Sequence, residues 1–261
     1  MGPISEGFTR RGVYVVAIVQ ARLGASRLPG KMLADLHGEP VLKWTLCRVA
    51  QAKHVDAIVV ATPDKRLSDL AYGWGAWGYW WRGDQSDVLG RYAAAAKWCN
   101  AEIVVRITGD CPLVDPAIID QALESLGSHD FVSTVLRRNQ ERLRFPKGCE
   151  VEVIPNHVLQ DVNATTTDVY GREHVTSRLY KPGAGHVLDL STPPADPLIN
   201  WCVDTPSDLD RMRMIFHTVD EVWKKGYREI VDDLRRDAGD RQRPGGDSPD
   251  HEPDEGRQAA V

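Results

Sequence analysis

The stretch VYVVAIVQARLGASRLPGK, residues 13–31, gives the strongest indication of the fold of this chain. Its first eight residues form a β-branched apolar run that stops at a polar loop containing Gly24, Pro29 and Gly30. The run is too continuous for a half-exposed strand, and it is typical of a parallel strand buried on both faces. The fold therefore starts with a central strand followed by a glycine-containing basic loop.

Strands and helices alternate along the first half of the chain. The spacing of apolar residues predicts a helix at 41–52, a buried strand at 56–61, a short helix from Leu67, a strand at 79–81, a helix at 88–99 and a strand at 102–107. Such alternation predicts an α/β fold with a mostly parallel, doubly wound sheet. Ligands of these sheets bind at the carboxyl ends of the strands.

The second half makes a small excursion from this pattern. A helix at 116–126, an alternating strand at 150–154, a short strand at 200–203 and helices at 208–217 and 221–234 are predicted. We expect one domain over residues 13–234, with a flexible N-terminal tail at 1–12. Residues 235–261 contain few large apolar side chains, and this composition predicts a disordered C-terminal tail.

Bulk composition restricts the possible partners. The 261 residues carry a formal net charge of -5, and the five cysteines are scattered without a CxxC pair. The charge gives no diffuse basic field for nucleic acid or an anionic membrane, and the cysteine spacing fits neither a zinc site nor a disulfide framework. The sequence shows no apolar signal segment and no apolar stretch of roughly 18 residues. We therefore expect a cytoplasmic protein without nucleic-acid or membrane partners.

The loop at residues 20–31 is a candidate phosphate site. Backbone amides around its glycines can form an anion nest, and Arg22, Arg27 and Lys31 can contact separate phosphate oxygens. The loop matches neither the GxxxxGK[ST] nor the GxGxxG pattern, so the sequence does not favour a P-loop NTPase or a dinucleotide-binding dehydrogenase. A solvated basic loop is the alternative, but the position after a buried strand favours phosphate binding.

Two aspartates also follow predicted strands. Asp110 lies in TGDCP after the strand at 102–107, and Asp204 lies in VDTP before a helix. Each could serve only as a helix cap or turn residue, which is a common use of aspartate near proline. Two carboxylates at strand ends of one sheet nevertheless make a shared divalent-cation site plausible.

Five motifs resemble a known family. They are QARLGASRLPGK after the first strand, DVLGRY at 87–92, RITGDCPL at 106–113, REHVT at 172–176 and VDTPSDL at 203–209. Together they resemble the SpsF-type proteins of polysaccharide biosynthesis, relatives of the CMP-Kdo and CMP-acylneuraminate synthetases. The resemblance runs in order over residues 13–216.

This resemblance implies a cytidylyltransferase with a GT-A-like nucleotidyltransferase fold over residues 13–234 and with Mg²⁺ as cofactor. Its substrates would be CTP and a small anionic acceptor, and pyrophosphate would leave. Arg22, Lys31 and Asp110 would be catalytic, and Asp110 and Asp204 would bind the metal. The implied nucleotide-binding residues are Gln20, Ala21, Arg22, Gly24, Ser26, Arg27, Lys31, Arg91 and Thr108.

The acceptor side departs from the family pattern. PKGCE at 146–150 stands where a Pro-Asp-Gly-Leu-Asp pattern is expected. Glu150 and Glu152 lie on one strand face and could orient acceptor hydroxyls or simply be solvated. Arg172 could pair with an anionic acceptor, and His174 could hydrogen-bond a sugar hydroxyl or pack between elements.

Two other functions remain open from the sequence. A GT-A-type glycosyltransferase that uses a nucleotide-sugar would normally carry a DxD motif, whereas this chain has GDCPLVD around Asp110. A silent nucleotide-binding scaffold would have no need of both Asp110 and Asp204. The family also leads us to expect a homodimer, with residues 131–180 as the candidate arm.

Overall fold

The computed structural model describes residues 13–134, 147–180, 186–187 and 200–242. The expected N-terminal tail lies outside these ranges, as do residues 243–261. The strands are β1 Val15–Gln20, β2 Asp35–Leu36, β3 Glu39–Pro40, β4 Ala57–Thr62, β5 Trp77–Trp80, β6 Ile103–Thr108, β7 Val132–Ser133, β8 Glu152–Pro155 and β9 His186–Val187. The helices are α1 Val41–Val49, α2 Lys65–Gly73, α3 Val88–Trp98, α4 Pro116–Glu124, α5 Asn156–Thr165, α6 Val169–Glu173, α7 Pro206–Thr218 and α8 Tyr227–Gln242.

Seven strands form one sheet in the order β5-β4-β1-β6-β8-β7-β9, and β2 pairs with β3 separately. The pairs β5/β4, β4/β1, β1/β6 and β7/β9 are parallel, whereas β8 is antiparallel to both β6 and β7. The predicted mostly parallel α/β sheet is therefore confirmed, and the antiparallel strands account for the excursion in the second half.

The helices cover both faces of this sheet. On β1, Ala17 and Val19 pack into a core with α1, α2, α4 and α7, while Val16 and Ile18 pack into a second core with α3 and α5. All four residues are fully buried. Burial on both faces explains why the first strand reads as a continuous apolar run.

The sheet topology brings the loops after β1, β4 and β6 to one edge. Gln20, the last residue of β1, pairs with Ala61 of β4 on one side and Thr108 of β6 on the other. The carboxyl ends of these parallel strands are therefore level. After β5 the chain returns to place β6 on the other side of β1, which creates the switch point where such sheets bind ligands.

Two expectations about the C-terminal part are wrong. Instead of a strand at 200–203, the described part of this segment has one isolated bridge between Asn200 and Lys147. The Trp201 N–H bonds to the carbonyl of Lys147, and the Val203 N–H bonds to the carbonyl of Asp110, so successive residues pair with different segments. No continuous ladder can form from such contacts.

The predicted end of the last helix, at residue 234, also lies too early in the chain. Helix α8 continues through residue 242, eight residues beyond the expected boundary at 234. Its exposed surface carries i,i+3 ion pairs between Asp232 and Arg235 and between Asp233 and Arg236. Such pairs favour a polar helix that composition alone does not reveal. Among the residues described, no helix is both long and apolar enough to cross a membrane.

The start of α7 is fixed by a reciprocal cap between Thr205 and Asp208. The Thr205 hydroxyl accepts the Asp208 N–H at 3.3 Å, and the Asp208 carboxylate accepts the N–H groups of Thr205 and Asp204 at 2.9 and 3.1 Å. Burial would raise the pKa of Asp208, but Arg211 and these donors lower it from 3.8 to about 2. The carboxylate thus stabilises the fold in its charged form.

We expect Asp208→Asn to lower the free energy of unfolding by about 1–2 kcal/mol near neutral pH, because the cap loses its charge. Since the folded-state pKa is depressed, this stabilisation is complete above about pH 4 and is lost as the pH falls towards about 2. Urea denaturation of both proteins across this range measures the difference. Asp210→Asn, on the same helix but 73% exposed, is the matched control and should change stability by less than about 0.5 kcal/mol. A constant difference between wild type and Asp208→Asn at all pH values would contradict the cap assignment.

Candidate active site

A cleft of about 470 Å³ lies at the carboxyl ends of β1 and β6. Its walls come from the loop after β1, the start of α3, the end of β6, the segment after α6 and the segment before α7. The lining residues are Gln20, Ala21, Arg22, Ala25, Ser26, Arg27, Lys31, Met32, Ser86, Val88, Arg91, Arg106, Thr108, Asp110, Glu173, His174 and Asp204. Eleven residues of the sequence prediction are therefore brought together, although they are spread over more than 180 positions.

Two carboxylates meet at one ammonium group in this cleft. The Lys31 Nζ atom lies 2.5 Å from Asp110 Oδ2 and 2.9 Å from Asp204 Oδ1. The second Asp204 oxygen lies 3.2 Å from both Lys147 Nζ and Arg27 Nη2. The side chains of Lys31, Asp110 and Asp204 are 9%, 17% and 19% exposed, so these charges interact with little screening by solvent.

The opposite charges of Asp204 and Lys31 shift the pKa values of both groups towards the charged forms. Burial would raise the pKa of Asp204, but the hydrogen bonds and charges of Lys31 and Lys147 lower it below its ordinary value. Burial would likewise lower the pKa of Lys31, yet Asp110 and Asp204 raise it. Two carboxylates that approach one cation supply the hard oxygen donors that Mg²⁺ prefers. The donor set therefore fits a magnesium ion.

The loop after β1 presents its cations around this cluster. It turns at Gly30, whose φ of +73° is in the left-handed region, and Lys31 then opens a short 3-10 helix that extends to Leu33. The Leu23 N–H donates to Asp64 Oδ2 at 2.8 Å, which ties the loop to the segment before α2. Because the loop is anchored from both sides, Lys31 can be buried while Arg22 and Arg27 remain exposed at the mouth of the cleft.

The cleft also contains a charged residue outside the predicted site. Arg106 of β6 lines the cleft, and its guanidinium forms an ion pair with the buried Glu152 of β8, directly opposite in the sheet register. The other Glu152 oxygen accepts hydrogen bonds from Thr176 at 2.9 Å and Tyr180 at 2.5 Å. Burial would lower the pKa of Arg106, but Glu152 raises it above its ordinary value. An arginine inside an apolar strand, two residues before Thr108 on the same face, was the signal available in the sequence.

Four predicted site residues do not reach the cleft. Arg172 is occupied elsewhere, because its Nε and Nη2 atoms lie 2.8 and 2.7 Å from the two carboxylate oxygens of Asp87. A third donor, Nη1, lies 2.9 Å from the carbonyl of Asn163. This arginine ties α6 to the start of α3 and lies outside the cleft lining.

The two glutamates also lie outside the cleft lining. Glu152 is 2% exposed, and its described contacts are internal ones that include the ion pair with Arg106. Glu150 accepts the Gly148 N–H, and burial raises its pKa. Gly24 is exposed outside the cleft lining, where a Cβ would lie 3.3 Å from the Gln85 side chain. His174, by contrast, does line the cleft.

Comparisons with known proteins find relatives that are cytidylyltransferases or act in polysaccharide biosynthesis. A 3-deoxy-manno-octulosonate cytidylyltransferase from Trichlorobacter lovleyi is 39% identical over 112 residues, which cover 43% of this chain and 44% of that protein. The spore coat polysaccharide biosynthesis protein SpsF of Bacillus subtilis is 28% identical over 237 residues, covering 85% of this chain and 94% of SpsF. The match thus spans less than half of the first relative and nearly all of the second.

A solved structure gives the same fold. The cytidylyltransferase from Leptospira borgpetersenii superposes with a TM-score of 0.77 at 24% identity, covering 90% of this chain and all of that one. The family model described as cytidylyltransferase matches residues 16–215, which include the basic loop, both aspartates and every strand of the sheet except the first residue of β1. The chain belongs to the cytidylyltransferase family.

Proposed function

We propose that this protein transfers CMP from CTP to a small anionic sugar acceptor, such as a sugar acid, and releases pyrophosphate. The observation that carries the proposal is the convergence of Asp110, Asp204 and Lys31 beside a basic loop at the switch point of the sheet. Membership of the cytidylyltransferase family supports CTP as the nucleotide. The similarity to SpsF supports a role in polysaccharide or glycoconjugate biosynthesis.

The triphosphate is assigned to the loop after β1. Arg22, Arg27 and Lys31 neutralise its charge, and their separation along the loop suits a chain of phosphates. The remaining nucleotide contacts are assigned to other residues that line the cleft, namely Gln20, Ala21, Ser26, Arg91 and Thr108. Arg91 is 2% exposed and would lie near the base.

Asp110 and Asp204 are the residues that would hold Mg²⁺. When bound, the ion supplies positive charge to the phosphate oxygens and so stabilises the charge that develops during transfer. An acceptor hydroxyl forms the new bond to the α-phosphorus and loses its proton to solvent, while the bond from that phosphorus to the bridging oxygen of the pyrophosphate breaks. Lys31 and Arg22 stabilise the departing pyrophosphate, so positioning and electrostatics suffice without a covalent nucleophile.

The acceptor is assigned to the wall formed by Arg106 and His174. The pair between Arg106 and Glu152 fixes the guanidinium in one orientation, which suits two-pronged recognition of a carboxylate or phosphate. His174 lines the same cleft and can hydrogen-bond a hydroxyl of the sugar. Homodimerisation through residues 131–180 remains a prediction.

A pyrophosphate-release assay with CTP, Mg²⁺ and a panel of nonulosonic acids, Kdo-like acids, neutral sugars and phosphonates tests the proposal. We expect release with an acid and none with a neutral sugar.

Arg106→Lys should raise the acceptor KM by about 10–100-fold, because lysine keeps the charge but lacks the paired N–H donors of the guanidinium. The KM for CTP should change by less than about threefold. Arg66→Lys, exposed on α2, is the matched control. Unchanged acceptor KM in Arg106→Lys would contradict the acceptor assignment.

A further inference from the structure

Two cysteines that are distant in sequence meet beside the catalytic cluster. Cys111 directly follows Asp110, and Cys202 precedes Asp204 by two residues. The hydrogen bond from the Val203 N–H to the Asp110 carbonyl, 2.9 Å long, holds the two segments side by side. As a result the Cys111 and Cys202 Sγ atoms lie 3.4 Å apart, although 91 positions separate the residues, and both are free thiols.

Asp110 adds a third donor to this pair. Its Oδ1 atom lies 3.6 Å from Cys111 Sγ, and one ligand atom from each of Asp110, Cys111 and Cys202 lies within 4.8 Å of the other two. Around one tetrahedral zinc ion, with Zn–S of about 2.3 Å and Zn–O of about 2.0–2.2 Å, the ligand atoms lie about 3.6–3.8 Å apart. The separations of 3.4 Å between the two Sγ atoms and 3.6 Å between Cys111 Sγ and Asp110 Oδ1 lie close to this geometry.

The two oxygens of Asp110 face different neighbours. Oδ2 contacts Lys31, on the side of Asp204, whereas Oδ1 faces the Cys111 thiol. The Thr108 hydroxyl, 3.0 Å from Cys111 Sγ, and Asp110 both line the cleft, so the thiol lies directly beneath its floor. An ion that enters the cleft therefore has a short path to the thiols.

The donor types decide which ion would bind. Thiolates are soft ligands that select zinc-like ions, whereas Mg²⁺ prefers oxygen donors. We propose that Cys111, Cys202 and Asp110 form a second metal site, specific for a thiophilic divalent cation such as Zn²⁺ or Cd²⁺, whose occupancy inhibits the enzyme. Inhibition follows because the site takes Asp110 away from the magnesium cluster and adds a dication next to Lys31. This last consequence rests on the proposed function, but binding does not.

The binding test is a titration of the full chain with Cd²⁺, or with Co²⁺ as a zinc substitute, followed by sulfur-to-metal charge-transfer absorption. We expect saturation at one equivalent in the wild type and at least tenfold weaker binding in both Cys111→Ser and Cys202→Ser. Cys47→Ser, which removes a half-buried thiol on α1, should bind like the wild type. Circular dichroism checks the fold, and Cys202, the more exposed of the pair at 7% against 2%, gives the safer variant.

Absence of the absorption in the wild type, or wild-type-like binding by a folded Cys111→Ser or Cys202→Ser variant, would overturn the site. A second measurement adds Zn²⁺ to the pyrophosphate-release assay at saturating Mg²⁺. Inhibition that weakens at least tenfold in Cys202→Ser is expected, and equal inhibition of both proteins would overturn the link to activity. If the chain released no pyrophosphate with any acceptor, the proposed function would fail, while the optical titration would still decide the metal site.

Discussion

Asp110→Ala is expected to reduce CMP transfer about a thousandfold or more while the fold remains intact. The carboxylate is one of the two that meet at Lys31, and its removal leaves Asp204 without the partner needed to hold Mg²⁺. The fold should survive because the contact that joins this loop to the segment before α7 uses the backbone carbonyl of residue 110, which alanine retains. Pyrophosphate release measures the effect, and circular dichroism checks the structure.

Asp69→Ala provides the control for this prediction. Asp69 lies on α2, is 61% exposed, and its described contacts are to the exposed Lys65 on the same helix. Its removal should change turnover by less than twofold, since exposed pairs contribute little. Wild-type-like pyrophosphate release by Asp110→Ala would refute the metal assignment.

Lys31→Met is expected to weaken CTP binding by about 10–150-fold. The substitution keeps most of the length of the side chain but removes a charge-assisted contact, which is typically worth about 1.5–3 kcal/mol. Acceptor binding should change less, because the acceptor is assigned to Arg106 and His174 and not to Lys31. Isothermal titration with CTP and Mg²⁺ gives the affinity directly.

Lys65→Met, on the exposed face of α2, is the matched control for Lys31→Met and should leave CTP affinity within twofold of the wild type. The loss should exceed that of Arg27→Met, because the Arg27 side chain is 65% exposed and its charge is screened by water. Unaltered CTP affinity in Lys31→Met would show that the loop assignment is wrong.

The sheet was predictable because its strands carry their own signal. Burial on both faces favours apolar side chains in β1, β4 and β6, where Arg106 is the one charged residue, so their positions can be located from the sequence to within two residues. The segment at 200–203 carried a similar apolar signal but makes single bonds to separate neighbours. The apolar pattern of this segment predicts that its side chains are buried, whereas strand pairing depends on which backbone segments lie beside it.

The meeting of Lys31 with Asp110 was also predictable, since strand order brings the ends of parallel strands together wherever they lie in the chain. Asp110 follows β6 and Lys31 follows β1, and these strands are neighbours. Side chains whose neighbours come from distant segments were not predictable. Arg172 is adjacent to motif residues in sequence, yet its partner Asp87 lies 85 positions away. The Cys111–Cys202 contact, invisible to any CxxC search, has the same cause.

We expect this cleft to bind CTP together with Mg²⁺. Thermal unfolding of the wild type and of Asp110→Ala with CTP, UTP, ATP, GTP and UDP-sugars, each with and without Mg²⁺, tests it most directly, because a ligand of the folded state raises the midpoint. We predict a Mg²⁺-dependent rise with CTP in the wild type that is lost in Asp110→Ala. A rise with a UDP-sugar instead of CTP, or no rise with any nucleotide, would contradict the claim.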